Sequence, residues 1–553
     1  MVFHISFYMR AILKEENLLT VDEALKKFIS SLPPSLPDTE EVDLLSSLGR
    51  ISAEDVFSPL DIPPFSRSTV DGYAIISDET PGEFRVVDKV SIGEGKQVKL
   101  NRGEAIEIDT GAIIPSGATA VVKVEETIRD GNKVKVAKRL RFGENIGWVG
   151  SDIPKGMSIL RKGERITPEK IALLSSVGIN KVRVYRKLKI YIIATGDELV
   201  KPGEKLTTGK IYESNTYYLA SRLTMLGYEV IGNVLVPDNK EKISEELSRG
   251  LEKADAVILT GGTSAGEKDY VHEVIKEQGT IIVHGIKFKP GKPTILAKVK
   301  EKPVFGLPGN IVSTIMISEQ IVEKYLALMS GSEAEVQITI EAVAMSRITA
   351  DKKRFTYVPV FLFKKGNDFY ALSVPFDSYM IGTFALADGY VGLNPGEEVE
   401  EGGKVKVYVR RIDPGPIYIG EEEPTLMAKL PSTFRRLPLG TFAALKALKY
   451  GVGDIIVVSD LLDNNNSEGD RTLERNIMEI GEGDVIGYWD WVGMSKLVEN
   501  PAVKLRYPSS ALNFLGKAKI FVPHTILNQG KVVAKEKLKI FLRNTEVRKY
   551  LIT

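Results

Sequence analysis

Cysteine is absent from the 553 residues, which excludes disulfides, thiolate nucleophiles and thiolate-ligated metals and leaves the redox compartment open. Histidine is almost as scarce. The four present, His4, His272, His284 and His524, are too scattered to suggest a zinc cluster, so any metal should be Mg2+ held by oxygen atoms. A charge excess is missing too: 74 Lys plus Arg face 73 Asp plus Glu. No global field draws in nucleic acid or an anionic membrane, and any anion site must be a local arrangement. Long apolar runs are also lacking. The apolar start, Met1 to Met9, is broken by Arg10 and Lys14 before a signal core or a membrane span is complete, and a cytoplasmic protein is expected.

What is present is ordinary for a folded chain, with 43% hydrophobic and 27% charged residues. The length predicts roughly three to five domains. Two amphipathic helical patterns, from Thr20 to Ser30 and from Glu40 to Arg50, flank a proline-rich breaker. From about 80 to 140, short alternating runs such as Ala120-Val-Val-Lys-Val124, punctuated by glycine, predict a small β domain. Helical spacing returns at Pro168 to Gly178.

Between 188 and 326 apolar runs of strand length alternate with helical patterns near 214–226 and 239–252, which predicts a parallel sheet covered on both faces. Ligands in such sheets bind beyond the carboxyl ends of the strands, here the loops opening at Thr195, Pro237 and Thr260. Residues 336–410 return to short strands and predict a small barrel. Pro414-Gly-Pro416 and the acidic run Glu421 to Glu423 then mark a boundary to a separate module. That module has a helix-to-strand stretch from Gly440 to Ser459 and a final basic helix from Lys535 to Tyr550.

The chemistry gathers in the loops. Gly261, Gly262 and Gly266 let a backbone approach a phosphate, Thr263 and Ser264 offer hydroxyls, and the helix that follows presents its positive end. A plain tight turn is the other reading. Lys289 and Lys292 flank a stiff Pro-Gly turn suited to gripping an anion, or form a solvated hairpin. Asp197 and Glu198 end a strand where carboxylates can bind Mg2+, or where they satisfy a helix N-terminus. Asp238 reads equally as a cap or as a ligand.

Seven motifs then fall in register over about 20–410: Ser68 to Ala74, Asp109 to Ala112, Asp152, Thr195-Gly-Asp-Glu-Leu199, Gly261 to Asp269, Lys289-Pro-Gly-Lys-Pro293 and Gly306-Leu-Pro-Gly-Asn310. In this order the set resembles the molybdopterin molybdenumtransferases, the family that includes the gephyrin E domain. The resemblance implies a multidomain fold of α/β and β parts. Its divisions are a discontinuous helical domain (1–53 and 141–187), a β domain (54–140), an α/β molybdopterin-binding domain (188–327) and a β-barrel (328–412). Beyond them, 418–553 form an extra α/β module that loosely resembles a shortened periplasmic-binding-protein domain.

The activity implied is transfer of molybdenum from molybdate to adenylylated molybdopterin with release of AMP, in a Mg2+-dependent homodimer whose cleft uses both subunits. A molybdopterin adenylyltransferase is the implied protein partner, and no nucleic acid or membrane is expected. By the same resemblance Glu198, Asp269, Lys289 and Lys292 are catalytic, joined from the partner subunit by Asp71, Thr110 and Asp152. Thr195, Ser214, Asn215, Gly261, Gly262, Thr263, Ser264, Gly266, Pro308, Gly309 and Ser378 bind the pterin substrate. Glu198, Asp238 and Asp269 hold the metal. This chain departs from the family pattern in three places. Asn145 to Ser151 replaces an arginine-rich stretch, Ile311 replaces a proline, and Gly285 stands where some relatives have a lysine, so that either Lys287 substitutes or that function is missing. Two alternatives share the α/β loops: the adenylyltransferase itself, and a non-catalytic oxyanion-binding scaffold.

Overall fold

The computed structural model describes residues 18–263, 270–333, 336–412, 415–460, 469–480, 485–487, 503–504, 519–523 and 531–543. Its centre is the alternation anticipated from the apolar runs: β1 (Lys189–Thr195), α1 (Asn215–Met225), β2 (Glu229–Val236), α2 (Lys240–Lys253), β3 (Ala256–Thr260), α3 (Tyr270–Gln278), β4 (Thr280–His284), β5 (Ile295–Val299), β6 (Lys302–Leu307) and α4 (Ile311–Ile317). The sheet order is β2-β1-β3-β6-β5-β4, parallel from β2 to β6 and antiparallel at β5 and β4.

Because successive strand side chains point to opposite faces, Ile190, Ile192 and Ile258 join α1 and α4 on one side. Tyr191, Ile193, Val257 and Leu259 meet α2 and α3 on the other. The apolar runs of β1 and β3 therefore have no wet face.

The helix Val21–Ser31 is closed at its start by a capping box between Thr20 and Glu23. It packs on the first of these faces: Phe28 meets Phe305 at 5.6 Å and Tyr325 at 4.7 Å between ring centroids. The helix expected over 40–50 is not there. Thr39–Asp43 is a strand, antiparallel to Lys181–Tyr185, and only a short turn of 3-10 helix, Leu45–Ser47, follows. A pairing partner some 140 residues away overrides the local helical pattern.

The β domain is one six-stranded sheet, led by the fully buried strand Gly72–Ile75. Residues 339–409 close into a five-stranded barrel, from Phe355–Lys365 through Asp368–Ser373, Thr339–Ala344, Lys404–Val409 and Gly389–Leu393 back to the first. Phe288–Lys289 pairs in parallel with Phe355–Thr356, so the lysine turn is hung on the barrel wall.

The C-terminal module is not the separate unit expected. In the barrel strand Phe355–Lys365, Val360 and Leu362 fill the barrel interior. Phe361 and Phe363 point the other way, into a core shared with Ile419, Leu437, Ala443, Ala447 and Ile456 of the module. Arg435 of the module pairs with Asp388 of the barrel, both nearly without solvent contact. The acidic run is likewise no solvated boundary. Glu421 and Glu423 are 1% and 0% exposed, and Glu421 accepts from Thr441 N at 2.9 Å at the start of the helix Gly440–Tyr450. The final basic helix is also overturned over its described part. Lys531–Leu542 is a strand between Ile455–Ser459 and Arg471–Ile480, burying Leu538, Ile540 and Leu542 in alternation.

Candidate active site

The carboxyl ends of β1, β2, β3 and β6 open into one cleft of about 1280 Å³, walled on its far side by the barrel. Thr195, Glu198, Asn215, Asp238 and the Gly261-Gly262-Thr263 turn line it from the α/β side. Gly261 has φ +92°, and a Cβ there would lie 2.2 Å from the Thr195 carbonyl oxygen, so only glycine fits between the strand ends.

The β1 and β2 loops are tied to each other. The Thr195 hydroxyl donates to Asp238 Oδ1 at 2.5 Å, Asp197 N donates to Asp238 Oδ2 at 3.3 Å, and Asp238 N donates back to Asp197 Oδ1 at 3.1 Å. Asp238 does not cap α2. Asn239 does, accepting from Lys242 N at 2.8 Å. Glu198 is exposed at the cleft lip.

The third wall is the lysine turn. Gly291 adopts φ +139°, and a Cβ would meet Ile317 Cδ1 at 2.6 Å, so the turn is pressed onto the core by the absence of a side chain. Lys289 and Lys292 both line the cleft. Lys289 Nζ is 3.5 Å from Asp351, which is also bound by Arg354 at 2.8 Å. The Arg354 guanidinium, with help from the Lys353 N–H and Lys289, holds the Asp351 carboxyl well below the usual carboxylate range despite partial burial. Lys287 does not substitute for a cleft lysine; it is half-buried outside the lining, in electrostatic reach of Glu23.

The turn after β6 completes the floor. Asn215 Nδ2 donates to the Gly309 carbonyl at 2.8 Å, and Asn310 Nδ2 donates to the Ser378 hydroxyl at 2.8 Å, linking α1, the Pro308-Gly309 turn and the barrel loop. Ser214 is exposed, outside the cleft lining.

Asp71 and Thr110 come together elsewhere. Both the N–H and the hydroxyl of Thr110 donate to Asp71, at 2.6 and 2.9 Å, and keep its carboxyl below its ordinary range. Neither they nor Asp152, whose N–H donates to the Ile62 carbonyl, line the cleft of their own chain. Ser264, Gly266 and Asp269 lie outside the described residues.

Behind the glycine turn, His272 and His284 stack with ring centroids 4.7 Å apart, and neither His284 nitrogen has a side-chain partner. Burial, with the neighbouring imidazole, pushes His284 down to about 4 from an ordinary 6.5. The unfolded chain therefore binds this proton first as pH falls. Stability present above pH 6.5 should be lost between 6.5 and 4, by about 3 kcal/mol at the lower value. Thermal melts across that range should flatten in the His284→Gln variant; an unchanged slope would rule the residue out as the cause.

Sequence reasoning missed Asp351, Arg354 and Phe442, which all line the cleft. The first two sit in a barrel loop with no motif of their own, and Phe442 belongs to the C-terminal module.

Family models match three stretches: the MoeA N-terminal region (domain I and II) at 19–178, a probable molybdopterin binding domain at 191–328, and the MoeA C-terminal region (domain IV) at 341–409. A molybdopterin molybdenumtransferase of Haemophilus influenzae is 36% identical over 320 residues, which are 57% of this chain and 79% of that protein. The chain belongs to the molybdopterin molybdenumtransferase family. A member from a Nostoc species is 32% identical over 345 residues, 60% of this chain and 79% of that one. Two crystal structures of the molybdopterin biosynthesis MoeA protein of Pyrococcus horikoshii superpose with TM-scores of 0.62 and 0.61, at 36% and 30% identity. Each covers 71% of this chain and 100% of its own. The family regions end at 409, so Phe442 reaches the cleft from outside them.

Proposed function

We propose that the protein is a transferase of molybdenum cofactor biosynthesis that moves molybdenum from molybdate to adenylylated molybdopterin and releases AMP. The observation that carries this reading is the convergence, in one cleft, of the Gly261-Gly262 turn, the Lys289–Lys292 turn and Glu198.

Every reactant is an anion, and the three features divide the work. The main chain at Gly261 and Gly262, together with the Thr263 hydroxyl, accommodates phosphate oxygens at close approach. Lys289 and Lys292 neutralise charge on phosphate or molybdate, and the Pro-Gly turn fixes where their stems start. Mg2+ is bound by one or two protein carboxylates and completes its shell with phosphate oxygens and water. Glu198 fits that role, its carboxylate standing at the lip, whereas both Asp238 oxygens already accept hydrogen bonds. A metal held there would offset the charge on the phosphate.

The protein works as a cytoplasmic homodimer in this reading, with Asp71, Thr110 and Asp152 completing the partner's cleft and an adenylyltransferase delivering the substrate. That none of the three lines the cleft of its own chain is what a role across a subunit boundary requires. No helix among the described residues is long and apolar enough to cross a membrane.

Incubation with adenylylated molybdopterin, Mg2+ and molybdate should release AMP only when molybdate is present. Consumption of ATP with free molybdopterin would point instead to the adenylyltransferase, and inertness in both assays to a scaffold.

A further inference from the structure

Phe442 occupies an odd position for an aromatic side chain. It lies in the first turn of the helix Gly440–Tyr450, whose Ala443, Ala444 and Ala447 face the core shared with the barrel. Phe442 is left out of that core. Its half-buried side chain is instead among the residues that line the cleft, as are Val374 and Pro375 of the barrel.

The position is fixed from several sides. Glu421, buried beneath the helix start, accepts from the N–H and the hydroxyl of Thr441, and that hydroxyl accepts from Ser459 N at 2.8 Å. The carboxylate thus occupies one of the main-chain donors at the helix start, together with the Thr441 hydroxyl. One turn on, Lys446 Nζ lies 5.4 Å from the Phe442 ring centroid and is tied to Glu401 of the barrel. The ring is held in place by these contacts, and it adds an apolar group to the cleft lining.

The cleft also has room that anions do not need. Its volume of about 1280 Å³ exceeds the usual few hundred to a thousand for a small-molecule site. The strand ends, the lysine turn and the barrel residues Arg347 and Arg354 carry the groups suited to phosphate and metal oxyanion, and Phe442 joins Tyr357 and Phe376 as aromatic lining.

We propose that Phe442, carried in by the C-terminal module, is a specificity-determining residue of the cleft that seats a planar heteroaromatic ring of the substrate. The proposal rests on the anion-transfer reading of the site above. Both the nucleobase and the pterin of an adenylylated pterin share this chemistry, and the probes below separate them.

The test is isothermal titration of the full-length chain with three probes: AMP, a pterin monophosphate and inorganic pyrophosphate. In Phe442→Ala, binding of at least one ring-bearing probe should weaken about tenfold, the factor that corresponds to losing one aromatic stack. Pyrophosphate binding should hold, and Phe442→Tyr should restore the wild-type value. Phe442→Leu keeps apolar bulk without a ring, so it reports on stacking even where the alanine variant fails to fold. Ring-probe affinities unchanged in both the alanine and leucine variants would overturn the proposal. So would an equal loss for pyrophosphate, or a wild-type chain that binds neither ring probe. The AMP-release assay is independent: wild-type turnover with indifferent Phe442 variants sinks this inference alone, whereas ring-dependent binding without molybdate-dependent turnover sinks only the activity.

Discussion

Lys289→Ala should lower molybdate-dependent AMP release by about 10²–10³-fold, the loss typical of removing one charge-stabilising donor from a preorganised site. The side chain is half exposed, and its only described ion pair is the 3.5 Å contact to Asp351. Asp351 keeps its 2.8 Å bond to Arg354 when the lysine is gone. The melting temperature should therefore move little, since surface substitutions of this kind stay within about 0.5 kcal/mol. Glu198→Ala should show the same split, with turnover lost, oligomeric state unchanged and, in addition, a weaker response to added Mg2+. Full turnover in both variants, measured at saturating substrate, would remove the proposed roles of both residues.

Cutting the chain after Ile412 should cost the barrel its folded state rather than merely detach an appendage. The cut uncovers Met345, Phe361, Phe363, Leu372 and Val374, all now buried against the module. At roughly 1.5–3 kcal/mol for each large apolar side chain, the loss is on the order of 10 kcal/mol, comparable with the whole stability of a typical domain. It also leaves Asp388 without Arg435. The truncated chain should aggregate, or melt well below the intact one. A soluble fragment with an unchanged melting temperature would show that the shared core adds nothing.

The legible parts of the molecule were those whose pattern is local. The β1 and β3 runs, the glycine turn and the Lys-Pro-Gly-Lys turn declare themselves because period, turn chemistry and strand end coincide within a few residues. The strand Thr39–Asp43 was hidden, because its partner, Lys181–Tyr185, is remote in sequence. At Lys531–Leu542 the signal was available and outweighed by basic composition: Leu538, Ile540 and Leu542 alternate as a strand requires.

The site divided in the same way. The Asp197–Asp238 tie could not be anticipated, since it joins two loops through main-chain donors that no side-chain spacing records. Phe442 had no local signature either, and its meaning depends on where a different domain places it. The module's attachment to the barrel was missed because Glu421 and Glu423 look like surface charge, while their burial is decided by neighbours such as Thr441 and Thr425.

The doubly covered barrel strand also constrains how this lineage can change. From Val360 to Phe363 no side chain faces water, so neither set of alternating positions is free to drift. A descendant that shed the module would need polar replacements at Phe361, Phe363, Leu372 and Val374 together, and each of these made first would be harmful while the module remained. In this chain the module and the apolar side chains it covers on the barrel can therefore be lost only together.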